Sequence, residues 1–131
     1  MFKLLHVEDD ADIRQIAKLS LELSGEFEVV QCNSGPEALG QLESFSPDII
    51  LLDMMMPGMT GKEVLLRIRD MPAFAQTPAV FMTARAQKSE LEELRAIGAA
   101  DVISKPFDPM TLAAQIKRAM TSVGSARPAE D

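Results

Sequence analysis

Five side chains of this sequence could do chemistry together if the fold brought them to one place: Glu8, Asp9, Asp53, Thr83 and Lys105. Three are carboxylates. In one pocket they would bring about −3 of charge, and like charges that close repel and raise one another's pKa unless something neutralises them. A hard divalent cation with oxygen ligands is the natural remedy, and Mg²⁺ suits two carboxylates plus the oxygens of a phosphate. Together Mg²⁺ and Lys105 supply about +3, so the pocket would come out near neutral. A phosphoryl group entering it would meet a metal, an ammonium and the hydroxyl of Thr83. Those are the parts that a loose, charge-spread phosphoryl-transfer transition state requires. A carboxylate can itself be the nucleophile, giving an aspartyl-phosphate.

The elements that must position this set are legible around it. Apolar runs of strand length lie at 3–7, 27–31, 48–52, 79–82 and 101–103. Between them small and apolar residues recur at helical spacing: Ile13, Ile16, Ala17, Ser20 and Leu23; Ala38, Leu39, Leu42 and Phe45; Val64, Leu65 and Ile68; Leu91, Leu94 and Ile97; Leu112, Ile116, Ala119 and Met120. Ser34 with Glu37 and Thr60 with Glu63 match the capping-box spacing. Gly98 suits the residue just past a helix end, and Asp108-Pro109 suits an N-cap followed by the first helical position. Pro72 and Pro78 bracket a loop. Five strands alternating with five helices imply βαβ units, an α/β doubly wound parallel sheet with helices on both faces. In such a sheet function collects at the carboxyl ends of the strands. Glu8, Asp9 and Asp10 follow the first strand, Asp53 the third, Thr83 the fourth and Lys105 the fifth.

Composition bounds the function. A chain of 131 residues is one domain, large enough to hold a core without staples. With 20 acidic against 13 basic residues the net charge is −7, which argues against a protein that grips phosphate backbones; no direct nucleic-acid contact is expected. The single Cys32 cannot form an internal disulfide, which fits a reducing compartment. The longest apolar run is too short to span a membrane, and the N-terminus meets acid after seven residues, unlike a signal peptide. The expected location is the cytoplasm.

In order along the chain, Val7-Glu8-Asp9-Asp10, the stretch from Leu51 through Asp53 and Pro57 to Gly61, Met82-Thr83-Ala84 and Lys105-Pro106-Phe107 resemble the response-regulator receiver domain, the phosphoacceptor module of two-component signalling. The match runs from about residue 3 to residue 120. It implies a flavodoxin-like five-stranded sheet in the order 2-1-3-4-5, a receiver domain over 1–120 and a flexible tail over 121–131. It implies that Asp53 accepts the phosphoryl group and that Mg²⁺ is held by Asp9, Asp53, Glu8 and the backbone carbonyl of Met55. Thr83 and Lys105 would bond the phosphoryl oxygens, and Lys105-Pro106 would be cis. The implied partners are a histidine kinase or a phosphotransfer protein, and a downstream protein target reached through the face of the fourth helix, fifth strand and fifth helix. That face could also carry a homodimer. Two positions depart from the family. Its switch residue, commonly aromatic, is here Val102, a small aliphatic that cannot swing in toward Thr83 as a ring does. The positions that tune phosphoryl lifetime are Met55 and Arg85, and Met55 cannot orient an attacking water, so slow dephosphorylation is expected.

Other residues have plainer readings. Asp10 and Asp12 suit the positive end of a helix dipole. His6 reads as a satisfied core residue, and Cys32 as core. Met54, Met55, Met56 and Met59 read as loop and packing material, Glu90, Glu92 and Glu93 as a solvated helix face, and Phe107 as packing under the last loop. A flavodoxin-type cofactor binder would need a Gly- or Ser/Thr-rich phosphate loop where the first acids stand. A hydrolase using Asp53 would want a general acid two residues on, where Met55 stands. With no room after residue 120 for an effector, the expectation is a stand-alone, chemotaxis-receiver-like protein or relay intermediate rather than an enzyme. A piece of a longer regulator or hybrid kinase is the alternative.

Overall fold

The computed structural model describes residues 1–84 and 87–125, the side chains as far as residue 121. Five strands alternate with five helices: β1 Phe2–Val7, α1 Ala11–Leu23, β2 Phe27–Cys32, α2 Gly35–Phe45, β3 Ile49–Asp53, α3 Gly61–Arg69, β4 Ala79–Thr83, α4 Lys88–Ala96, β5 Ala99–Ser104 and α5 Leu112–Ser125. A short 3₁₀ turn, Pro72–Phe74, lies in the loop that the two prolines bracket. All strand pairs are parallel, and the sheet order is β2-β1-β3-β4-β5. The chain thus has the flavodoxin-like architecture expected of it.

Alternation along each strand divides the core in two. Leu5, Val7, Ile50, Leu52 and Phe81 pack beneath α2, α3 and α4. Leu4, Ile49, Leu51, Val80 and Met82 pack beneath α1 and α5. Both faces of β3 are covered, and all five of its residues are buried. That is why it reads as an unbroken apolar run rather than an alternating one.

Three details differ from the sequence reading. Glu37 Oε1 accepts the amide of Asn33 (2.8 Å), not that of the N-cap Ser34, so the first capping box is displaced by one residue. The second, Thr60 with Glu63, is complete. Asp108 does not cap α5: its Oδ1 accepts the Met110 amide (2.9 Å) and its carbonyl accepts Thr111 and Leu112, forming a turn before the helix. A short Asp side chain bonding its own backbone two residues on competes in this way with direct helix entry. Finally, α5 runs on to Ser125, past the start of the expected tail, with Thr121 Oγ1 donating to the Lys117 carbonyl at 3.0 Å. Residues 126–131 of that tail, and Arg85, lie outside the described residues. Among the described residues no helix is long and apolar enough to cross a membrane.

Candidate functional site: an acidic pocket with a buried lysine

The carboxyl ends of β1, β3, β4 and β5 form one edge of the sheet, and backbone hydrogen bonds stitch them there. Glu8 donates to the Cys32 carbonyl (3.0 Å), Met54 to Met82 (2.9 Å) and Lys105 to Thr83 (2.8 Å). At this edge Glu8, Asp9 and Asp53 each offer a carboxylate oxygen within 4.8 Å of the others. Glu8 and Asp53 are buried and Asp9 is exposed, so the cluster opens to solvent on the Asp9 side.

Lys105 closes the inner side. Its Nζ donates to Asp53 Oδ1 at 2.8 Å and lies 2.9 Å from Glu8 Oε1. The approach to Glu8 is off the hydrogen-bonding direction, so Oε1 has electrostatic contact but no aligned hydrogen bond. Burial raises the Glu8 pKa. The Lys105 ammonium opposes this and Asp53 adds to it, and the result is about 7. Burial also lowers the Lys105 pKa, but its pairs with Asp53 and Glu8 outweigh that and leave it raised. One ammonium cannot balance three carboxylates. A strongly raised Glu8 beside an oxygen with no aligned donor is the signature of a site that can take one more cation. The all-oxygen donor set suits Mg²⁺.

Other elements hold the pocket in place. Asp10 is the N-cap of α1, its Oδ1 accepting Asp12 (2.9 Å) and Ile13 (3.1 Å). Arg14 reaches back to donate to the Glu8 carbonyl at 2.8 Å. Beneath lies His6, fully buried. The Gln31 side-chain amide is 3.1 Å from its Nδ1 and 2.7 Å from the Arg14 carbonyl. An amide nitrogen only donates, so Nδ1 accepts and Nε2 carries the ring proton. That Nε2 has no hydrogen-bond partner, so the expectation of a satisfied core histidine is only half met. On the β3 side, Gly61 opens α3 against the Asp53 backbone. A Cβ there would stand 2.3 Å from the Asp53 carbonyl oxygen.

Glu8, Asp9, Asp53 and Lys105 are therefore brought together as the sequence reading requires, and Thr83 is buried on the adjoining strand end. Met55 follows Asp53 with its amide 3.4 Å from Asp53 Oδ1 and its side chain exposed, whereas Met54, Met56 and Met59 pack on the core. Val102 is half-buried against the α2–α4 side of the core, and Phe107 packs on the α1–α5 side. Cys32 is buried, and burial with Glu37 beside it pushes its thiol up to about 11. Sequence reasoning missed one residue. Glu90 is half-buried, not part of a solvated face, and Thr83 Oγ1 donates to its Oε1 at 3.4 Å. The signal was available: Glu90 lies in the first turn of α4, and a residue there can reach back over the strand end that precedes it.

The chain matches the family model of the response regulator receiver domain over residues 4–117. It is 38% identical over 133 residues to the transcriptional regulatory protein CseB of Streptomyces avermitilis, an alignment covering 98% of this chain and 55% of that protein. To the phosphate regulon transcriptional regulatory protein PhoB of Escherichia coli it is 36% identical, covering 92% and 52%. The chain thus spans about half the length of these curated relatives. Among solved structures, the chemotaxis protein CheY4 of Vibrio cholerae superposes with a TM-score of 0.86 at 33% identity, covering 91% of this chain and 98% of that one. With the sheet order, the acidic pocket and the sequence match in agreement, the chain belongs to the response regulator receiver domain family, whose members accept phosphoryl groups in two-component signalling.

Proposed function

We propose that Asp53 is the phosphoacceptor of this chain and that residues 1–120, with the extension of α5, form the module that carries it. The observation that carries the reading is the buried Asp53 carboxylate, paired with Lys105 at 2.8 Å and set within 4.8 Å of Glu8 and Asp9. Glu8, Asp9, Asp53 and the Met55 carbonyl would hold Mg²⁺, which when bound supplies positive charge for the oxygens of the transferring group. Asp53 forms the new P–O bond. The P–N bond of a phosphohistidine donor breaks, and its electron pair goes to the imidazole nitrogen. Lys105 is already placed to neutralise charge on the acceptor side, and it costs no reorganisation at the moment of transfer. Thr83 supplies a hydroxyl to a phosphoryl oxygen.

The donor would be a histidine kinase or a phosphotransfer protein in the cytoplasm. Output would pass from Thr83 to a protein target, or to a second copy, on the face of α4, β5 and α5, where Val102 stands at the family's switch position. The chain's own part is phosphorylation and slow dephosphorylation, not turnover of a substrate. A small phosphodonor with Mg²⁺ should add one phosphate to the wild-type mass and none to Asp53→Asn. Equal gain in both forms overturns the site, steady release of phosphate favours a hydrolase, and a half-life of seconds overturns the slow-release reading.

A further inference from the structure

α4 is attached more lightly than its neighbours. It buries one side chain, Leu94, where α2 and α3 each bury four residues. Its N-cap, Gln87, makes no side-chain cap hydrogen bond, while Asp10, Ser34 and Thr60 cap α1, α2 and α3. Among the described residues two side-chain contacts to the body stand out. One is the exposed pair of Lys62 with Glu93 (3.1 Å), a kind of contact worth little. The other is the contact of Thr83 with Glu90.

A threonine hydroxyl carries one hydrogen and donates it to one acceptor at a time. While Thr83 donates to Glu90, that hydrogen is not available to a phosphoryl oxygen. A phosphorylated Asp53 would also place added negative charge on the same strand edge as the Glu90 carboxylate, and like charges repel. A cleft of about 410 Å³ lined by Met54, Met55, Thr83, Ala84 and Glu90 gives the group room to enter and Glu90 room to leave. Val102 is β-branched and packed against the core, so it has little rotamer freedom with which to carry a signal in Glu90's place.

We propose that Glu90 is a positioning residue: it holds the Thr83 hydroxyl in the unphosphorylated chain, competes with the phosphoryl group for that one hydrogen, and ties the first turns of α4 to the site until it loses. This rests on Asp53 as phosphoacceptor. Uptake of phosphate from acetyl phosphate with Mg²⁺ is followed by intact mass for wild type, Glu90→Gln, Glu90→Ala, Thr83→Ala and the Thr83→Ala/Glu90→Ala double variant. Amide exchange of α4 is followed in parallel. Removing the competitor should speed uptake about three- to tenfold in Glu90→Ala, with a smaller gain in the isosteric Glu90→Gln. The gain should vanish in the Thr83→Ala background, which separates competition for the hydroxyl from a general loosening. Phosphorylation should speed exchange in α4 of the wild type, and Glu90→Ala should show that faster exchange without phosphate. Wild-type uptake rates in both Glu90 variants, or the same gain with and without the Thr83 hydroxyl, would overturn the proposal. Wild type that takes up no phosphate overturns the acceptor reading instead, and unchanged α4 exchange in Glu90→Ala then overturns the tie as well.

Discussion

His6 is held neutral. Burial is the main cause and the nearby Lys105 and Arg14 charges add to it; Asp53 opposes them, and the pKa falls from 6.5 to about 3. The unfolded chain therefore binds a proton near pH 6.5 that the folded chain refuses until about pH 3. The contribution is fully kept above 6.5 and lost as pH falls toward 3, at about 1.4 kcal/mol per pH unit. Glu8, raised from 4.5 to about 7, contributes the opposite slope between those values. The His6 part is therefore read as a difference: in urea unfolding at pH 7, 6 and 5 in chelator, wild type should lose stability relative to His6→Gln as the pH falls. Parallel curves would contradict the prediction. Lys105 sets a second expectation. Lys105→Met leaves two buried carboxylates with less compensation, which should cost about 1–3 kcal/mol in metal-free buffer. Because the ammonium competes with a cation for the same oxygens, Mg²⁺ should raise the melting temperature of the variant more than that of wild type. At this scale the sequence was informative wherever residue type and strand-end position coincided, as at Asp53 and Lys105. At Glu90 the helix-start position was legible but the contact with Thr83 was not, because a charged residue there reads equally as solvated until the helix is docked.

Among the elements, α3 is the most tightly specified. Its capping box is complete, and Gly61 donates to the Met54 carbonyl at 3.1 Å while pressing against Asp53. In Gly61→Ala the added Cβ meets backbone, not a flexible side-chain end. Overpacking of this kind costs about 1–3 kcal/mol, from which about 1 kcal/mol of helix propensity is regained. Denaturant unfolding should register the net loss. Phosphate uptake should slow as well, since the atom displaced belongs to Asp53, the proposed acceptor. Strand positions and the α3 start were readable because apolar period and capping residues agree there. The α5 start was not: Asp108 suits a cap and a tight turn equally, and only the bond it makes to Met110 decides between them.

For the whole molecule, the parallel sheet and its two-sided core follow from alternation and from the unbroken apolar β3, both plain in the sequence. The order of strands was not derivable from periodicity; it came with the family's motif order. Uneven attachment of the helices was not legible at all, since it depends on how many side chains each helix finally buries. Native-state amide exchange should rank that attachment. Backbone amides of α4 should exchange fastest among α2, α3 and α4, and those of α3 slowest. Equal protection would contradict the ranking. This asymmetry gives the molecule a mechanical grain. Asp53 sits between a stiff neighbour and a compliant one, so a push applied there does its work on the compliant side. Grafting a new output onto α3 would meet a wall, while α4, the most lightly held of α2, α3 and α4, is the place where an engineer would couple a load.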